Sequence, residues 1–117
     1  MIKLDEEKIS ERMHELVDGR DKARGKIYEA WLVLEKAKRT TEKAEGSAKI
    51  SLKTIDPKIT VDMMNCKVYS ENKEYDKAKA DEIQAEANHM IARGALEKMI
   101  DEFEALKSDS FMIGKLN

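Results

Sequence analysis

Glu82, Glu86 and His89 form the grouping in this sequence that comes nearest to a catalytic constellation. The three-residue step from Glu86 to His89 brings a carboxylate and an imidazole to one side of a helix. Helical bundles hold paired metal ions with such a motif on each of two helices, plus further glutamates from two more. This chain carries the motif once. A metal-dependent bundle enzyme would therefore have to assemble its site from several subunits, which makes it the weakest of the readings below. Neither His14 nor His89 has a full carboxylate-and-histidine arrangement of the metal-binding kind nearby, and a lone histidine on an apolar seam is more often packed or hydrogen-bonded than ligating. Cys66 is the single cysteine, so neither an internal disulfide nor a thiolate metal site is available. No phosphate-cradling glycine loop, serine nucleophile motif or paired-cysteine motif is present. The expectation is a protein with no catalytic residue, no metal and no cofactor, and not an enzyme.

A second set of residues suits a polyanion. Lys36, Lys38, Arg39, Lys43, Lys49 and Lys53 follow closely on Tyr28 and Trp31. Lysine and arginine neutralise phosphates with release of counterions, and aromatic rings stack on exposed bases of a single strand. The plainer reading is that the basic residues are a solvated helix face and that Trp31, beside Ile27, Ala30 and Leu34, is the widest part of a packed one. The seven methionines, Met63, Met64, Met90 and Met99 among them, allow an adaptable binding surface but at helical spacing belong more often to a core.

Any such site has to be carried by helices. Charged residues make up 39% of the 117, aromatics 5%, and there is one proline, a composition of long helices and coiled coils. The predicted fold class is all-α, with long amphipathic helices forming a helical hairpin or coiled-coil assembly. A first helix is expected over about 5–45. Along it Ile9, Met13, Leu16, Ala23, Ile27, Ala30, Leu34, Ala37, Thr41 and Ala44 recur at alternating steps of four and three, with Arg20 as the exception. That rhythm keeps one stripe facing a partner helix. Gly19 and Gly25 mark Asp18–Gly25 as the expected place for a kink or break. A loop is expected over about 46–56, then a helical region over about 57–107 opened by Asp56-Pro57 and liable to interruption at Ser70–Lys73. Ala85, His89, Ala92, Leu96, Met99, Phe103 and Leu106 form its seam. Ser108-Asp109-Ser110 should end it, leaving Phe111-Met112-Ile113 as a short apolar tail. All of this fits one helical domain over 1–117. Its seams carry more apolar face than a short chain buries alone, so a homo-oligomer is expected.

The net charge of −2 is unevenly spread. Arg20–Lys53 holds ten basic and five acidic residues, and Glu71–Glu104 holds the reverse. Either the two halves pair electrostatically, or the basic face is kept for a polyanion. No apolar run approaches the roughly 20 residues needed to span a bilayer, and the opening Met1–Glu7 lacks the layout of a signal peptide. The expected location is cytoplasmic, with no membrane partner.

Two segments sharpen the choice. Ile27-Tyr28-Glu29-Ala30-Trp31-Leu32 resembles an aliphatic-Tyr-x-x-Trp-Leu segment that leads into a basic helix in the UvsY family of recombination mediators from T-even bacteriophages. Ala105-Leu106-Lys107-Ser108-Asp109-Ser110-Phe111-Met112-Ile113 is similar to the Ala-Ile-Lys-Ser-Arg-Gly-Phe-Ala-Ile segment near that family's C-terminus, with Asp109 where the family has arginine. The resemblance covers about a fifth of the chain, and Pro57–Glu86 has no counterpart in it. It implies a small, helical, ring-forming and non-enzymatic viral protein of DNA recombination. Such a protein binds single-stranded DNA and helps load a RecA-like recombinase where a single-strand binding protein already sits, in the host cell cytoplasm. The other reading is a helical adaptor, scaffold or inhibitor that binds protein and ignores DNA, its basic first helix paired with the acidic second.

Overall fold

A computed structural model describes the backbone of residues 2–116 and the side chains of residues 6–111. The fold is all-α: α1 (Ile2–Ile55), α2 (Val61–Glu71) and α3 (Lys73–Leu116), with no strand among the described residues. Two compact units are present, Met1–Glu29 with Met90–Asn117, and Ala30–His89.

In the first unit α1 and α3 are packed side by side. Leu16 and Ala23 are buried, and Ile9, Met13, Ile27, Leu96, Met99, Phe103 and Leu106 are half-buried on the two seams. Arg20, the exception in the apolar rhythm, still occupies a seam position: its guanidinium carbon lies 5.0 Å from the centre of the Phe103 ring, a cation–π contact that lets a charge sit there. At the edge Arg12 grips Glu102 through two hydrogen bonds of 2.8 and 2.9 Å.

In the second unit the buried side chains are Leu34, Thr41 and Ala48 of α1, Met64 and Val68 of α2, Ala78 and Ala85 of α3, and Ile59 from the turn. Thr41 is buried, and its hydroxyl shares its proton between the carbonyls of Ala37 (3.0 Å) and Ala78 (3.2 Å). This satisfies the one polar side chain of the buried set without a water.

Alanine recurs every seventh residue on both seams, at 23, 30, 37 and 44 on α1 and at 78, 85 and 92 on α3. Small side chains let helices approach closely, but each hides little apolar area. Large apolar side chains are accordingly left outside, among them Leu32, Val33, Ile50, Ile55, Val61, Ile83, Met90 and Ile91.

The structure departs from the expected boundaries in four places. α1 runs unbroken through Asp18–Gly25: two glycines cost about 2 kcal/mol in a helix, and the seam on either side outweighs that. The expected loop over 46–56 is helical up to Ile55. Ala48 is buried and Leu52 half-buried, so the seam rhythm continues past Gly46. Asp56 does not cap the next helix. It makes a turn, its side chain accepting from Lys58 N and its carbonyl from Ile59 N, both at 3.1 Å. Thr60 is the cap, its hydroxyl accepting from Met63 N at 3.2 Å. The chain leaves the helix again at Asn72, whose side chain accepts from Tyr75 N at 2.8 Å and starts α3. Finally α3 passes through Ser108–Ser110 to Leu116, because serine and aspartate are only weakly unfavourable in a helix, unlike glycine or proline. Phe111 is exposed on it, and the side chains of Met112 and Ile113 lie outside the described residues.

Gly25 and Gly46 have no conformational reason to be glycine. Neither has a positive φ, and a Cβ at either would meet nothing within 4 Å. Gly25→Ala and Gly46→Ala are each expected to stabilise the fold by about 1 kcal/mol, a rise in Tm of about 4 °C in a thermal melt followed by circular dichroism. A fall in Tm would mean that a side chain there meets something the isolated chain lacks.

Candidate nucleic-acid interface

Four of the six basic residues singled out above share one line. Leu32, Lys36, Arg39, Lys43, Gly46, Ile50 and Lys53 follow each other on α1 at steps of four and three, all exposed. The same steps run through Leu34, Thr41 and Ala48 on the buried side, so the line is the outer face of the helix. Among the described residues Lys36, Arg39, Lys43 and Lys53 take part in no ion pair.

Lys38 and Lys49 are placed differently. Lys38 sits toward the seam, 3.5 Å from Glu35. Lys49 is half-buried and bound to Glu45 at 2.8 Å, with its ammonium 6.0 Å from the centre of the Tyr69 ring. Tyr69 donates to the same Glu45 oxygen at 2.7 Å and leans on Tyr75, ring centres 5.2 Å apart. The Lys49 hydrogen bond, and then that from Tyr69, hold the Glu45 carboxyl below its ordinary range, and the bond to Glu45 pushes the Tyr69 phenol up. Tyr69 therefore fastens α2 to α1 through Glu45, while Lys49 is held to Glu45 within its own helix. The i, i+4 spacing of Lys49 from Glu45 is visible in the sequence, whereas the part of Tyr69 has no local signal.

The aromatic pair is divided. Trp31, in the second unit, is 43% exposed. Seven residues before Lys38, it shares that residue's side of α1 and not the outer line. Tyr28, in the first unit, is 60% exposed and stands seven residues before Glu35. Neither ring sits on the row of Lys36 and Lys43.

No ion pair among the described residues joins this row to the acidic half. Only Arg12–Glu102, of the ion pairs among described residues, joins one helix to another, and Arg12 precedes the basic stretch. Glu82 is bound by Lys79 on its own helix at 2.7 Å, and that bond holds its carboxyl low. No family model, curated protein or solved structure matches this chain.

The remaining polar residues do not converge. His89 is half-buried on the seam and His14 is exposed. Glu86 is exposed while Glu82 is turned toward the seam and paired. No group of three metal-ligating side chains occurs among the described residues. Cys66 is exposed. No helix is long and apolar enough to cross a membrane among the described residues.

Proposed function

We propose that the protein is a non-enzymatic recombination mediator of the UvsY kind, which binds single-stranded DNA along the outer face of α1, assembles with copies of itself and helps load a RecA-like recombinase. The observation that carries the reading is the row Lys36, Arg39, Lys43 and Lys53, exposed on one line with no ion-pair partner among the described residues. Three of these fall within two helical turns, a span of about 11 Å, which suits successive phosphates of one strand. Binding of this kind is electrostatic and weakens steeply with salt. The row follows the Ile27–Leu32 segment that resembles the family, as a basic helix does there. The exposed aliphatic side chains of both units support self-assembly. The recombinase and the single-strand binding protein enter by resemblance.

A labelled single-stranded oligonucleotide titrated with the protein, followed by fluorescence anisotropy at two salt concentrations with duplex as the control, tests the reading. Salt-sensitive binding that prefers the single strand is expected. No binding at low salt would refute it and leave the adaptor reading in its place.

A further inference from the structure

The first unit has a groove of about 200 Å³ between its two helices, lined by Gly19, Ala23, Ala92, Ala95 and Met99, with Lys22 and Lys26 beside them. It exists because small residues face each other there. A Cβ at Gly19 would only touch Met99, at 3.6 Å from Sδ. Its floor is apolar, and neither lysine takes part in an ion pair among the described residues. What fits is a single aliphatic side chain flanked by carboxylates.

The chain itself carries such a side chain. Ile83, on α3 in the second unit, is 57% exposed. Ala80 and Ala87 adjoin it on its side of the helix, so a neighbour can come close, and Asp76 and Glu86 stand seven residues before and three after, both exposed and outside any ion pair among the described residues. Residues 20–53 carry a basic excess and 71–104 an acidic one; Lys38 and Glu82, and Lys79 and Glu45, attract each other from one helix to the other, but Lys22, Lys26, Asp76 and Glu86 enter no ion pair among the described residues. Complementary charge left unspent within a chain is available to a second copy.

We infer that the groove of one copy seats Ile83 of a second, with Lys22 and Lys26 facing Asp76 and Glu86 across the contact. The inference deepens the self-assembly part of the proposed function and rests on that part alone. Two reciprocal contacts close a dimer, and successive ones make a ring or a filament.

Light scattering coupled to size-exclusion chromatography, without DNA, tests it. The wild-type chain is expected above its monomer mass of 13.4 kDa. Lys22→Glu with Lys26→Glu, and separately Asp76→Lys with Glu86→Lys, should each move the mass toward 13.4 kDa. All four substitutions in one chain should restore it. Ile83→Asp should give the monomer, and Gly19→Leu, which fills the groove, should do the same with helical content retained. A monomeric wild type, or charge-reversed variants that keep the wild-type mass, would overturn the inference. Either result leaves DNA binding by α1 to be read by anisotropy, so the two ideas fail separately.

Discussion

Replacing Lys36, Arg39, Lys43 and Lys53 together by alanine is expected to lower single-stranded DNA affinity by roughly two to three orders of magnitude near 0.1 M salt, and to flatten the salt dependence by about three units of slope. Each phosphate neutralised on a single strand contributes about 0.7 to that slope, and the four residues line one exposed face of α1. Alanine is a strong helix former, so the substitutions leave the buried face of α1 and the helix intact. The matched comparison is Lys38→Ala with Lys49→Ala. Those lysines are already held by Glu35 and Glu45, and removing them should change the slope by less than half as much. Trp31→Ala should likewise cost less than the fourfold change, because Trp31 shares its face with Lys38. If the Lys38 and Lys49 pair carried the larger effect, the DNA would lie toward the seam and the outer face would be the wrong assignment.

The helices could be read from the sequence because burial here follows a simple period. Ile9, Met13, Leu16, Ala23 and Ile27 stand on one stripe whatever lies opposite, and so do Ala85, His89, Ala92 and Leu96. The continuation of α1 past Gly46 could not be read the same way. Whether one glycine ends a helix depends on what the next turn buries, and Ala48 is buried beside a cleft that it shares with Lys67 and Val68 of α2. Gly19 and Gly25 misled for the same reason: propensity counts their cost, and tertiary packing outvotes it. At the interface, the residue types and their rough position were legible, and the division among them only in part. Glu45 four residues before Lys49, with no acid so placed before Lys53, separates the two lysines in sequence, but the bond from Tyr69 to the same Glu45 oxygen has no local signal. The outward line also holds Leu32, Gly46 and Ile50, which no charge-based search would pick out.

Val68→Asp is expected to cost about 3 kcal/mol or more and to lower Tm by about 10 °C or more. Val68 is fully buried, the one large side chain so enclosed among the described residues, and α2 has only eleven residues with which to hold itself in place. An isolated helix of that length is unstable in water. Met64 and Val68 supply its apolar contacts, while the bond from Tyr69 to Glu45 lies at the surface and is worth little alone. Losing the valine forfeits about 1.5 to 3 kcal/mol of burial, and the carboxylate adds the penalty of an unpaired charge in an apolar setting. Burial raises the folded-state pKa of the introduced carboxyl above its unfolded value. The charge penalty is therefore absent below the unfolded value near pH 4, and it develops as pH rises toward the folded one. Melts at pH 4 and pH 7, each against wild type, separate the two parts: the deficit should be smaller at pH 4 and larger at pH 7. Hydrogen exchange should show protection lost first in α2. Release of α2 would remove the Tyr69 bond to Glu45 and leave the Lys49–Glu45 pair of α1 in place. A variant that lost α2 yet bound single-stranded DNA as tightly as wild type would show that the outer face of α1 works without the packing beneath it.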